Sequence, residues 1–406
     1  MKAKTEILTE NGFKETDIGL IPSDWGIKKI SDIAEIKYGK QRPREKGLIP
    51  VIGSSGTYAF CKKELVNFPT LIIGRKGNAG SVQLLLLPCW PADTTFYMNW
   101  KSKNVDDKFL YYYMSLKPLS GEHAKTTMPS LQRQDLEEYQ FPSLSFNEQQ
   151  KIASVLSKIQ QAIEQQDKII QTTKELKKSL MNKLFAEGLH GEGQKETEIG
   201  LIPKSWSITL AEKFCERVTD GTHESPKPAE SGYYLVTSKN LKDGKIIFDG
   251  CYLISEENYK SVNERSKVDL YDVVFGMIGT IGSPVIIRRE PDFAIKNVGL
   301  FKTDKNKELG LWLFYYLSSD SVERLVDKQK AGATQKYIPL WFLRQLPVPI
   351  PSEKERNEIT KILEDISLKL DAEENRLIIL KNLFKTMLNQ LMTGRVRVKN
   401  LDIEVN

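Results

Sequence analysis

The chain repeats itself, and this constrains its architecture more than any other feature. Residues 14–25 read KETDIGLIPSDW and residues 195–206 read KETEIGLIPKSW, identical at nine of twelve positions and 181 residues apart. The order of later landmarks is kept. Gly74-x-x-Gly77-x-x-Gly80-Ser81 returns as Gly276-x-x-Gly279-x-x-Gly282-Ser283, and Tyr111-Tyr112-Tyr113 as Phe314-Tyr315-Tyr316. Phe141-Pro142, Ser145 and Glu148 return as Val348-Pro349, Ser352 and Glu355, by which point the offset is 207, so the second copy holds 26 additional residues in its globular part. Solenoid units run to roughly 20–45 residues, so a period this long means duplicated domains.

Each copy ends in a pattern that predicts a long helix. Ser145-x-x-Glu148 and Ser352-x-x-Glu355 both read as capping boxes after prolines, and Gly188 and Gly394 stand where helices stop. Helices over about 146–187 and 353–393 are expected, rods on the order of 60 Å at about 1.5 Å per residue. Ile152, Val155, Ile159, Ala162, Gln166, Ile169, Thr173, Leu176 and Leu180 follow a 3-4 alternation. So do Ile359, Leu363, Ile366, Leu370, Glu373, Leu377, Leu380, Phe384, Met387 and Leu391. Antiparallel pairing of these two seams is expected, because it spares the second domain a return journey before its helix begins. Gln166, Thr173 and Glu373 interrupt the apolar seams and are read as register-setting positions.

The segments 15–141 and 196–348 are rich in short β-prone runs broken by glycine and proline, such as Leu48 to Ile52 before Gly53-Ser54-Ser55-Gly56. The expected fold is α+β. Two tandem mixed α/β, β-rich domains (15–141 and 196–348) are joined by two helical segments (142–188 and 349–394) in an antiparallel coiled coil with approximate two-fold symmetry.

Composition then excludes several function classes. Cys61, Cys89, Cys215 and Cys251 form no C-x-x-C pair, and the chain has three histidines, which argues against a disulfide framework and a zinc site. The greasiest run, Leu84 to Leu87, stops at Pro88, far short of a membrane span, and the N-terminus leads into no apolar signal core, so a cytoplasmic protein is expected. Neither glycine repeat matches G-x-x-x-x-G-K-[ST] or G-x-G-x-x-G, so a strand turn is favoured over a nucleotide cradle. There is no Pro-Pro dipeptide for an amino-methyltransferase loop, and no [DE]-x-K follows Pro291-Asp292 to complete a nuclease site. No catalytic residue is assigned. The net charge of +6 admits a polyanionic partner without requiring one.

The two opening segments, Val218-Thr-Asp-Gly-Thr-His223, Pro50-Val-Ile-Gly-Ser-Ser-Gly56, Gly74-Arg-Lys-Gly77-Asn-Ala-Gly80, Asn147-Glu-Gln-Gln-Lys-Ile152 and Leu391-Met-Thr-Gly-Arg-Val396 resemble specificity subunits of type I restriction-modification systems over nearly the whole chain. The resemblance implies two target-recognition domains, separated by a coiled-coil spacer, that bind the halves of an interrupted double-stranded DNA target. It further implies two methyltransferase subunits and two ATP-driven restriction subunits as partners. S-adenosylmethionine, ATP and magnesium would belong to those partners, and this chain would hold no cofactor. Two alternatives stay open: a coiled-coil scaffold with protein-binding end domains, and a stand-alone DNA-binding specificity protein.

Candidate DNA contacts lie on loops. Lys40, Gln41, Arg42 and Arg44 in the first domain, and Thr222, His223 and Lys227 in the second, supply donors on a turn after a strand-like run. Arg75, Lys76, Ser238, Lys239 and Asn240 form a second tier. Met277 and Ile278 stand where the first copy has Arg75 and Lys76, so the two domains are expected to read different sequences. His123 and His190 are read as surface or hinge residues, and the aromatic runs at 111–113 and 312–316 as core.

Overall fold

A computed structural model describes residues 12–119, 130–331 and 337–402. They fall into two compact units, one running to Asp167 and resuming at Asn375, the other spanning Lys168–Glu374. In the first, β1 (Phe13–Thr16) and β2 (Gly19–Pro22) form a hairpin, then β3 (Gly26–Lys29) leads through α1 (Ile30–Ile33) to β4 (Ala34–Tyr38). There follow β5 (Ile49–Gly53), β6 (Gly56–Cys61), β7 (Thr70–Gly74), β8 (Val82–Leu85), β9 (Trp90–Pro91) and β10 (Thr95–Trp100). Helices α2 (Asp107–Leu116) and α3 (Arg133–Glu137) and strand β11 (Gln140–Ser143) precede the long helix α4 (Phe146–Glu187). One sheet has the order β4-β10-β7-β8, a second is β6-β5-β9 with β5 and β9 parallel, and β11 pairs with β3.

The second unit repeats this scheme. Its hairpin is β12 (Gln194–Thr197) and β13 (Gly200–Pro203), followed by β14 (Ser207–Leu210), α5 (Ala211–Phe214), β15 (Arg217–Asp220) and β16 (Tyr233–Thr237). Next come β17 (Leu241–Lys242), β18 (Lys245–Ile246), β19 (Leu253–Ile254), α6 (Glu256–Ser266), β20 (Val273–Gly276), β21 (Gly282–Ile286), β22 (Phe293–Lys296) and β23 (Val298–Lys302). Helices α7 (Lys307–Leu317), α8 (Asp320–Ala331) and α9 (Leu340–Arg344), strand β24 (Pro347–Ile350) and the long helix α10 (Glu353–Met392) complete it. The sheet order β15-β23-β20-β21 matches that of the first unit, β16 pairs parallel with β22, and β14 pairs with β24. The stretch between β16 and β20 is where this copy is longer, and it holds the β17–β18 hairpin and α6.

Both glycine repeats are strand turns. A Cβ on Gly74 would lie 2.1 Å from the carbonyl oxygen of Asn78, and one on Gly276 2.1 Å from that of Thr280, so the chain folds back where only glycine fits. The tryptophans that close the repeated opening segments, Trp25 and Trp206, are buried in their units' cores. The aromatic runs are core as expected: Tyr112, Tyr113, Trp312, Tyr315 and Tyr316 are buried, and the Trp312 indole donates to the Pro349 carbonyl at 3.0 Å. Cys61, Cys89 and Cys215 are buried and free, and burial pushes the Cys89 thiol up to about 11 and that of Cys215 up to about 12.

The long helices run antiparallel in each unit. In the first, the start of α4 meets the end of α10: Arg397 donates through Nε to Glu148 Oε1 at 2.8 Å and through Nη2 to Oε2 at 3.0 Å, while Ile152, Leu156, Leu388 and Leu391 share one core. In the second, the end of α4 meets the start of α10: the Leu189 N–H donates to Glu355 at 2.8 Å, and Met181, Leu184 and Phe185 share a core with Ile359 and Leu363. Ser145 and Ser352 accept from the backbone N–H of Glu148 and Glu355 at 3.3 and 3.2 Å, the serine half of each capping box. The carboxylates of both glutamates are turned to tertiary partners.

The seam of α10 follows the expected spacing. That of α4 keeps Gln166 buried as expected but departs at other positions: Ile163, Ile170, Met181 and Leu184 are buried, whereas Ile169 and Leu176 are 44% and 58% exposed. The buried stripe passes through the stem of Lys177, whose ammonium lies 5.5 Å from the centre of the Tyr315 ring. Burial lowers its pKa. A pattern that refuses lysine a seam position steps instead to Leu176, which accounts for the slip by one residue.

Candidate nucleic-acid interface

The same scaffold position carries different chemistry in the two units. Strand β4 ends at Tyr38 and β15 at Asp220, and each is followed by a glycine against a neighbouring backbone. A Cβ on Gly39 would be 1.9 Å from the Ala92 carbonyl oxygen, and one on Gly221 2.3 Å from that of Ile295. Both turns are therefore pinned to the strand region beside them, and the loops that follow leave from fixed points.

In the first unit, the Lys40 N–H donates to the Pro91 carbonyl at 3.0 Å and the Trp90 indole donates to the Lys40 carbonyl at 3.0 Å. Beyond this anchor Gln41, Arg42 and Arg44 are exposed, as is the Lys40 side chain. Arg75 has a different setting. Its guanidinium lies 5.3 Å from the centre of the Tyr38 ring and donates through Nη2 to the Asp93 carbonyl at 2.8 Å, a structural contact on the same surface. Lys76 is exposed, its backbone N–H held by the Thr94 carbonyl.

In the second unit, the buried Asp220 carboxylate accepts from Arg265 Nη2 at 2.6 Å and faces His223 Nε2 at 3.1 Å. The other ring nitrogen of His223 lies 2.8 Å from Asn297 Oδ1. The Thr222 hydroxyl caps its own turn, accepting from the Glu224 N–H at 3.1 Å. Asn297 donates its backbone N–H to the Thr222 carbonyl at 3.1 Å and sits at a φ of 51°, the left-handed region in which asparagine is enriched.

Ser238 and Asn240 are buried, and both act within the scaffold. Ser238 Oγ donates to the Asn297 carbonyl at 3.0 Å and accepts from the Met277 N–H at 3.0 Å, tying the glycine turn after β20 to the Asn297 loop. Asn240 accepts from the Thr237 N–H and donates to the Ile247 carbonyl. Lys239, between them, is exposed, as are His223 and Lys227. Sequence reasoning missed Asp220, Arg265 and Asn297. The Asp-Gly-Thr-His run marks the first, and an asparagine ahead of a strand hints at the last; Arg265 comes from α6, and nothing local points to it. His190 is exposed and bears no visible role, and His123 lies outside the described residues. Among the described residues, no group of three or more histidine, cysteine or acidic side chains could hold a metal ion, and no helix is long and apolar enough to cross a membrane.

Residues 22–174 and 221–382 match the model of the type I restriction modification DNA specificity domain. The chain is 25% identical over 417 residues to the type I restriction enzyme MjaVIII specificity subunit of Methanocaldococcus jannaschii, with 97% of this chain and 98% of the relative covered. It is 21% identical over 362 residues to the EcoBI specificity subunit of Escherichia coli, covering 82% of this chain and 76% of that one. Its fold is similar to the crystal structure of the S subunit of a type I restriction-modification system from M. genitalium, with a TM-score of 0.61 at 16% identity over 90% of this chain and 96% of that one.

Proposed function

From the premise that the chain belongs to the type I restriction-modification DNA specificity family, we propose that it reads an interrupted DNA target, one half with each unit, and presents that target to enzymatic partners. The observation that carries the reading is one scaffold made twice with unlike groups at equivalent loops: Tyr38 and Arg75 in one unit, Asp220, His223 and Asn297 in the other. Exposed Lys40, Arg42, Arg44, Lys227 and Lys239 on or beside these loops suit phosphate contacts, whose role is to fix register on the duplex.

Methyltransferase subunits, two per chain, would carry S-adenosylmethionine and flip the target base, and two restriction subunits would carry ATP and magnesium. This chain would do no chemistry. The test is selection from a randomised duplex DNA library by the complex of this chain with its co-purifying methyltransferase subunits. A two-part motif with an unspecified gap is expected, and exchange of residues 196–348 for those of a relative should change one half only. Selection of no motif would leave the scaffold reading in its place.

A further inference from the structure

We propose that Asn297 determines one base-pair position of the second half-site and that His223 is its positioning residue. The inference rests on the DNA-reading function proposed above. Asn297 stands where three segments meet. Its backbone N–H is held by the Thr222 carbonyl and its carbonyl by the Ser238 hydroxyl, which in turn holds the Met277 N–H of the glycine turn. A residue other than glycine with a φ of 51° is held there by its surroundings, and such positions cluster at functional sites.

The side chain is fixed as well as the backbone. Asp220 is buried and accepts from Arg265, so its carboxylate is a rigid acceptor for His223 Nε2–H. The ring thus stands between two acceptors, Asp220 at Nε2 and Asn297 Oδ1 at 2.8 Å from Nδ1, and it holds the asparagine oxygen by donating from both nitrogens. The asparagine amide nitrogen has no protein partner among the described residues, and Asn297 is part-exposed. The chain of contacts Arg265–Asp220–His223–Asn297 thus ends in an amide donor left to be paired on a part-exposed residue. A donor in this position pairs with the acceptor edge of a base: O6 or N7 of guanine, O4 of thymine or N7 of adenine. The exposed Lys239 is adjacent to Ser238, and the Lys296 ammonium bonds to the Ser225 hydroxyl, so the donor is set among cationic side chains. At the equivalent place the first unit has Tyr38 and Arg75 and, among the described residues, no such chain.

The test is library selection with the complex of this chain and its methyltransferase subunits, comparing wild type with N297G, N297D and H223A. Glycine accepts the left-handed backbone, so N297G removes the amide without straining the turn. Expected is loss of discrimination at one position of the second half-site, on the order of tenfold, with the first half and the melting temperature unchanged. N297D, which offers only an acceptor, should move the preference at that position toward adenine or cytosine, whose exocyclic amines donate. H223A should relax the same position and no other. An unchanged second half-site in N297G, or relaxation spread over several positions in H223A, would overturn the assignment. A wild-type complex that selects no motif would instead refute the DNA-reading function itself.

Discussion

Trp206 donates its indole N–H to the Glu355 carboxylate at 3.0 Å, joining the end of the second repeated opening segment to the first turn of a helix 149 residues later. The other carboxylate oxygen accepts from the Leu189 N–H just past the end of α4. The first unit solves the same junction differently. Glu148 is held by Arg397, whose guanidinium lies 5.4 Å from the centre of the Trp25 ring, and the buried Trp25 indole N–H has no partner among the described residues. Glu355→Ala would leave a buried indole donor and a part-buried backbone donor unpaired, so we expect a loss on the order of 2 kcal/mol in urea unfolding. The loss in Trp206→Phe should be dominated instead by repacking.

Acid should loosen the C-terminal segment of the first unit. Hydrogen bonds from Arg397 and then Lys399 hold Asp24 from its ordinary value of 3.8 down to about 2. A depressed carboxylate stabilises the fold above its unfolded pKa and loses that contribution as pH falls through the folded value. Amide exchange of residues 394–402 should therefore accelerate between about pH 4 and pH 2, with the onset moved by salt because Asp24 is half exposed. Asp24→Asn should abolish the step.

The seam of α4 can be checked by paired substitutions. Ile170 is buried and Leu176 is 58% exposed. Ile170→Ala should cost about 2–4 kcal/mol and Leu176→Ala under about 0.5 kcal/mol, measured by thermal or urea unfolding. Equal costs would restore the spacing expected from the sequence.

Gly39 and Gly221 offer a test of independence between the readers. Gly39→Ala and Gly221→Ala each force a Cβ against a backbone carbonyl, and overpacking of this kind costs about 1–3 kcal/mol. Each should degrade recognition of one half-site and leave the other intact in library selection. Loss of both halves from either substitution would contradict separate reading.

Helix length should be read out as spacer length. Inserting four residues at matched layers of α4 and α10 adds about 6 Å, close to two base pairs of a duplex that advances about 34 Å per turn. We expect methylation mapping to show a gap lengthened by about two base pairs between unchanged half-sites. An unchanged gap in an active complex would show that joints near Gly188 and Gly200 absorb the insertion.

Much of the architecture was legible because it depends on local chemistry repeated twice. The duplicated opening segments, the serine caps and the glycine stops identified both long helices to within a residue or two, and the glycine turns declared themselves by spacing. The first-unit loop donors Lys40, Gln41, Arg42 and Arg44 are exposed where the sequence suggested. In the seam of α4 Gln166 is buried as the spacing suggests, but Ile170 and Lys177 take the places expected for Ile169 and Leu176, because a lysine whose stem is buried and whose ammonium rests over a tyrosine cannot be told from a solvated one without its neighbour.

The candidate site divides along the same physical line. A turn, a cap or a periodic face is governed by residues a few positions apart, so the sequence by itself determined the duplication and the helical segments. Which of those side chains face outward depends on partners tens of residues away. Ser238 is consumed by Asn297 and Met277, Arg75 by Tyr38 and the Asp93 carbonyl, and His223 is aimed by Asp220, itself held by Arg265 45 residues later. Only the tertiary structure brings those groups within hydrogen-bond reach, because strand pairing, not chain proximity, sets which loops converge.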